Sequence, residues 1–285
     1  MDGPDTCQVS QLVQHHGVPR FLSTSSGPVA VLDTGPAGPA AGSALLIPGY
    51  TGSKEDFAPI LDPVRTAGYR VVALDLPGQY QSPGPDRRDA YTVQWLASVV
   101  GEVAGTLDNG PVHLLGHSFG GLVGRAAVLA EPTRYRSLTL LCSGPAGIDG
   151  GRRERMARLE PIAMTGGLPA AWAAMAAELD ETPAVTEFLR TRFLAASLPG
   201  LFGMADALLT EPDQVDKLRA TGVPVLVCFG IDDDAWPPQV QRDMAARLGA
   251  ELAVLDGAAH SPAVENPAAT TDALTRFWGE LSRRA

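Results

Sequence analysis

The run Gly116-His117-Ser118-Phe119-Gly120 constrains this chain more than any other five residues in it. The β-rich stretch Val112-His113-Leu114-Leu115 comes before it, and an apolar helix-forming stretch, Leu122 to Ala130, comes after. Strand, sharp turn and helix in that order put the serine in the turn itself. The residues two before and two after the serine must then approach each other closely, and glycine at both positions removes the side chains that would collide. Strain in the turn lifts the hydroxyl to the carboxyl end of the strand. The helix that follows aims its first N–H groups and the positive end of its dipole at the same place. A Gly-x-Ser-x-Gly match alone is weak in a chain with 31 glycines; the strand before it and the helix after it give it meaning.

The surrounding pattern fits that setting. Phe21-Leu22 and Val29 to Leu32 predict two opening strands in a hairpin, followed by a turn-rich stretch from Thr34 to Ser43. Ala44 to Ile47, Arg70 to Leu74, Leu138 to Cys142, Val223 to Phe229 and Leu252 to Leu255 predict further strands. Helices are predicted over Lys54 to Ala67, Thr92 to Leu107, Val240 to Leu248 and Ala268 to Leu281. Apolar strands alternating with helices imply an α/β fold, with a mainly parallel central sheet flanked by helices. Between Cys142 and Val223 the alternation stops for about 80 residues, far longer than a loop. Arg152 to Leu218 reads as several short helices rich in Met and aromatic residues. The chain is therefore divided into a core, 1–144 and 219–285, and an inserted helical cap, 145–218.

Composition narrows the function classes. The net charge of −10 is spread along the 285 residues, whereas nucleic-acid binding needs clustered Lys and Arg, so no nucleic-acid partner is expected. The three cysteines, Cys7, Cys142 and Cys228, form neither a disulfide framework nor a zinc pattern. The N-terminal stretch lacks the basic start and apolar core of a signal peptide. No apolar run approaches the roughly 18 residues that span a bilayer. These features predict a cytoplasmic protein with no membrane partner.

With these motifs in place the chain resembles the α/β-hydrolase fold superfamily, as a serine hydrolase with a helical cap, from about Val29 to the last helix. The resemblance implies that Ser118 is the nucleophile. A serine hydroxyl needs a base, and the chain has five histidines. His15 and His16 lie in a polar segment. His113 sits inside a strand, and His117 is locked in the turn as packing support. His260, in Gly257-Ala258-Ala259-His260-Ser261-Pro262, resembles the superfamily's late histidine loop. The acid follows the preceding strand in Gly230-Ile231-Asp232-Asp233-Asp234-Ala235-Trp236-Pro237, where a Gly-x-x-Asp-x-x-x-Pro pattern selects Asp233. The chain order Ser118, Asp233, His260 is that of the superfamily. By position, the backbone N–H groups of Tyr50 and Phe119 form the oxyanion hole. Pro48 stands where relatives often have His, and Gln79-Tyr80 stands where a His-Gly pair is familiar. Asp75 reads as structural. Tyr80, Trp172 and Trp236 are the expected pocket residues.

This constellation implies two-step acyl transfer to water on an ester or related acyl bond of a small, mainly apolar substrate. It needs neither a metal nor an organic cofactor. Cleavage of a carbon–carbon bond, lactone or thioester, or perhydrolysis, would use the same fold. A ligand-binding protein with low turnover is the alternative from another class.

Overall fold

In the computed structural model, residues 10–35, 41–107 and 110–284 are described. Cys7 and residues 36–40 of the predicted turn-rich stretch lie outside them.

Eight strands form one sheet: β1 (Val18–Thr24), β2 (Gly27–Asp33), β3 (Gly42–Ile47), β4 (Tyr69–Leu74), β5 (Val112–His117), β6 (Tyr135–Leu141), β7 (Val225–Gly230) and β8 (Glu251–Leu255). Their order is β1-β2-β4-β3-β5-β6-β7-β8. The predicted hairpin is antiparallel, as is the β2–β4 pair, and the other six strands run parallel. β5 is apolar because both its neighbours and both its faces are covered. The chain leaves β3 to one side for β4 and returns to the other side as β5. The carboxyl ends of β3 and β5, paired at Ile47 and Gly116, therefore flank a topological switch point, where open α/β sheets bind their ligands.

Successive strand residues go to opposite faces and build two cores. Leu45, Ile47, Leu114, Leu138, Leu140, Val227 and Phe229 pack with helices α2 (Val93–Ala104), α3 (Phe119–Ala130) and α8 (Pro238–Leu248). Leu46, Leu115, Leu141, Leu226 and Cys228 pack on the other face with α1 (Ala58–Thr66), α9 (Pro262–Glu265) and α10 (Pro267–Arg284). The predicted helix from Lys54 begins instead as a tight turn, Lys54–Phe57, before α1. Helix α3 starts at Phe119, three residues earlier than predicted, so only Ser118 lies between strand and helix.

Between β6 and β7 lie α4 (Gly150–Ala176), α5 (Pro183–Leu194), α6 (Leu198–Thr210) and α7 (Val215–Ala220). α4 comprises two helices that meet at a kink at Gly167, whose φ of 68° and ψ of −170° are non-helical and open to glycine. Trp172, Phe193, Leu201 and Phe202 form a third cluster among α4, α5 and α6. α7 packs instead on α3 and α8.

One side chain ties this segment to the core. Arg125 of α3 is fully buried and donates to the Pro145 carbonyl ahead of α4. It also donates to Glu211 Oε1 and the Pro212 carbonyl just after α6, each at 3.1 Å. Gly147 N–H to Glu211 O (2.8 Å) draws the two ends of the segment together. Removing the cation leaves a buried carboxylate without its counter-charge, still held by Gln214 Nε2, and two carbonyls without the Arg125 donor, so Arg125→Met is expected to lower the unfolding free energy by about 3 kcal/mol. Urea denaturation checks this; an unchanged midpoint would contradict it.

Candidate active site

Ser118 sits at φ 54°, ψ −119°, between the last residue of β5 and the first of α3. Its N–H donates to Leu141 O at 2.8 Å, and its own carbonyl accepts from Gly121 N–H at 2.9 Å. The flanking glycines are required sterically. A Cβ on Gly116 would lie 2.2 Å from the Gly120 carbonyl oxygen. One on Gly120 would lie 2.5 Å from the carbonyl oxygens of both Ile47 and Pro48.

The loops after β7 and β8 bring two further predicted residues to the serine. With the tautomer these contacts require, Ser118 Oγ–H donates to His260 Nε2 at 3.0 Å, and His260 Nδ1–H donates to Asp233 Oδ1 at 2.8 Å. All three residues are buried. The fates of the three consecutive aspartates are set by their neighbours. Asp232 is exposed. Asp234 pairs with Arg152 and Arg155 of α4. Asp233 turns inward and also accepts from Ala235 N–H (2.9 Å) and Gln241 Nε2 (2.7 Å). Burial alone would raise the Asp233 carboxyl, but the hydrogen bond and charge of His260, with those other donors, hold it below its usual value.

Four residues support this arrangement, and only His117 is singled out for such a role from the sequence. Gln241 is fully buried and bridges Asp233 to the Trp236 carbonyl at 2.8 Å. Glu265 Oε2 accepts from the N–H groups on either side of the histidine, Ala259 (2.7 Å) and Ser261 (3.1 Å). His117 Nε2–H donates to the His260 carbonyl at 2.6 Å. Gln79 Nε2 donates to the Gly49 carbonyl at 2.8 Å, which also accepts from Gly52 N–H at 3.0 Å. Gly49 O and Tyr50 N–H belong to one rigid peptide plane, so fixing the oxygen fixes the direction of the N–H. Among the described residues, neither Tyr50 N–H nor Phe119 N–H has a hydrogen-bond partner. Gly49 itself lies against Ser118, since a Cβ there would be 3.2 Å from Ser118 Cβ.

Asp75 lies beneath this loop. It accepts from Lys54 N–H (2.8 Å) and Lys54 Nζ (2.9 Å), and burial raises its carboxyl to about 6. Lys54 Nζ also lies 4.7 Å from the Tyr80 ring, which meets Phe188 edge-on.

A cavity of about 700 Å³ opens over Ser118 and His260. Tyr50 and Trp172 line it. Tyr80 and Trp236 are not among the lining residues. Tyr80 is turned to Lys54 and lines a small side cleft. Trp236 is buried against Gly144 and donates from Nε1 to the Ala146 carbonyl at 3.2 Å.

Cys142, Asp233 and His260 bring one metal-type ligand atom each to within 4.8 Å of the others. Burial holds the Cys142 thiol protonated, well above its usual value. The His260 and Asp233 atoms are already hydrogen-bonded to each other. As arranged, the cluster is a hydrogen-bonding group rather than a prepared ligand set. Among the described residues no single helix is long and apolar enough to cross a membrane.

The structure thus places a serine at a strained strand–helix turn, with His and Asp from later strand ends beside it, at the carboxyl edge of a mainly parallel sheet. Residues 44–273 match the alpha/beta hydrolase family, and the chain belongs to it. A Variovorax paradoxus protein named as a carbamate hydrolase, RutD, is 30% identical over 264 residues, covering 86% of this chain and 95% of its own length. The pimeloyl-[acyl-carrier protein] methyl ester esterase of Aeromonas hydrophila is 29% identical over 236 residues, covering 76% and 88%. A carboxylesterase structure from the thaumarchaeon Nitrososphaera gargenis superposes with a TM-score of 0.78 at 25% identity, covering 93% of this chain and 100% of that one. The chain is an enzyme of the esterase type within this family.

A buried histidine, His113, and a half-buried one, His117, make its stability pH-dependent. Burial lowers His117 to about 4 and His113 to about 3, from an ordinary 6.5. Below pH 6.5 the unfolded chain takes up these protons while the native state does not. Their contribution is therefore whole above pH 6.5 and is lost as the pH falls to about 4 for His117 and about 3 for His113. Urea unfolding across that window should show His117→Gln with a shallower decline than wild type; an identical slope would contradict this account.

Proposed function

We propose that Ser118, His260 and Asp233 form the catalytic triad of an enzyme that hydrolyses an ester or related acyl bond of a small, mainly apolar substrate. The observation that carries this reading is the buried hydrogen-bond chain from Asp233 through His260 to Ser118 Oγ at the floor of the cavity. His260 Nε2 accepts the hydroxyl proton as Ser118 Oγ attacks the carbonyl carbon. Asp233 keeps Nδ1 protonated and steadies the imidazolium that forms. The carbonyl oxygen, now an oxyanion, meets the N–H groups of Tyr50 and Phe119, with the positive end of α3 behind the latter. His260 then returns the proton to the leaving group. Water, activated by the same base, releases the acyl group from Ser118.

Gln79 is a positioning residue in this scheme, acting through the Gly49–Tyr50 peptide. The segment 145–218 is a cap that roofs the cavity, and its apolar wall accounts for an apolar substrate. Two similar proteins are named for a carbamate and a methyl ester, and both bonds place a carbonyl where this geometry can attack it. We read the protein as cytoplasmic, consistent with two buried free cysteines, Cys142 and Cys228.

Kinetics on p-nitrophenyl butyrate test the assignment. Ser118→Ala and His260→Ala are each expected to lower kcat/KM by about 10³-fold or more, and Asp233→Asn by about 10²–10⁴-fold. Gln79→Ala is expected to lower kcat by about tenfold with KM little changed, because the oxyanion forms only after binding. Wild-type turnover by Ser118→Ala would overturn the reading. A Gln79→Ala effect confined to KM would remove its positioning role.

A further inference from the structure

The cavity wall is not uniformly apolar. Within seven residues, the start of α4 carries Arg152, Arg153, Arg155 and Arg158, in a chain whose net charge is −10. Residues three apart share a helix face. Arg152, Arg155 and Arg158 accordingly line the cavity, on the same stretch of helix as Met156, Leu159 and Ile162. Past the kink at Gly167 the α4 lining turns apolar, with Ala171, Trp172 and Met175. The cavity therefore has a cationic end and a mainly apolar length, with Glu178 a further charged residue on the wall just past α4.

The arginines that line the cavity outnumber their carboxylate partners. Arg152 and Arg155 share one carboxylate, Asp234, which follows Asp233 in the same loop. Arg192, elsewhere on the wall, is paired with Asp56 at 2.5 Å. Arg158 has no carboxylate partner among the described residues. An arginine stripe on a helix is most often solvated, but here it borders the space in which a substrate would lie. The shared Asp234 also fixes two of its members beside the Asp233 loop. Guanidinium forks match carboxylate and phosphate oxygens in pairs, and such contacts strengthen where water is partly excluded.

We propose that Arg155 and Arg158, with Arg152 behind them, form a subsite for an anionic group on the substrate. The substrate is then an acyl ester with an apolar body and a carboxylate or phosphate away from the scissile carbonyl. This rests on the hydrolase reading above and specifies its substrate class.

Matched substrates test the proposal. Mono-p-nitrophenyl adipate is compared with p-nitrophenyl hexanoate for an anion on the acyl side. The p-nitrophenyl ester of an ω-phosphorylated hexanoate supplies the phosphate. The para-carboxyphenyl and phenyl esters of hexanoate place the anion on the leaving group instead. Wild type is expected to favour an anionic ester of at least one pair by about tenfold in kcat/KM, less so as salt is raised. That ratio should fall toward one in the Arg155→Ala/Arg158→Ala double variant and below one in Arg158→Glu. The favoured pair identifies the anion and the side it occupies. A wild-type ratio of one or less in every pair, or ratios untouched by the variants, would overturn the subsite. Either result, obtained while hexanoate turnover still depends on Ser118, leaves the hydrolase reading intact. Hexanoate turnover surviving in Ser118→Ala would instead overturn the hydrolase reading itself.

Discussion

The backbone at Ser118 lies in a region that L-residues avoid, with φ 54° and ψ −119°. Such a conformation costs on the order of 1–3 kcal/mol and persists only where its surroundings over-determine it. Here β5 enters and α3 leaves with only Ser118 between them, Gly116 and Gly120 clear the space around it, and Leu141 O holds the serine's own N–H. The other site elements are placed relative to this fixed point. The loop after β3 passes close enough for Gly49 to touch Ser118. The loops after β7 and β8 bring Asp233 and His260 into hydrogen-bond reach of each other and of the serine. The switch in strand order beside β3 leaves room above them.

A second set of interactions keeps the loops from relaxing. Glu265 gathers the N–H groups around His260, His117 holds its carbonyl, and Gln241 occupies the second oxygen of Asp233. Gln79 does the same for the Gly49 peptide, anchored over the buried Lys54–Asp75 pair. Arg125 extends the frame outward by fastening both ends of the segment between β6 and β7 to the helix that begins at the serine. Each of these bonds joins positions distant in sequence or elements distinct in the fold. The site is therefore rigid because the fold around it is complete, rather than because any one loop is stiff.

The sheet was legible because its signals are local. Continuous apolar runs such as Ala44 to Ile47 and Leu138 to Cys142 mark covered parallel strands, and the Gly-x-Ser-x-Gly turn fixes what joins β5 to α3. Ser118, His260 and Asp233, singled out from motif and chain order, meet in the structure at hydrogen-bond distance. Gln79, Gln241 and Glu265 were not legible, because each is an ordinary polar residue until its partner is known, and two of those partners lie 30 and eight residues away. The kink at Gly167 was hidden for a related reason: a glycine inside a helical run is compatible with an unbroken helix as well as with a positive φ. Tyr80 and Trp236 looked like pocket aromatics from their loops. Lys54 and Gly144 instead draw them into packing roles that depend on tertiary neighbours.

The central claim is that Ser118 alone among the serines is activated by a neighbouring base. Treatment of the native protein with an alkyl fluorophosphonate, followed by intact-mass and peptide analysis, tests it directly. A single adduct on the peptide containing Ser118, absent from Ser118→Ala and greatly slowed in His260→Ala, is the result this account predicts. A correctly folded wild-type protein that stays unlabelled, or is labelled elsewhere, would contradict it.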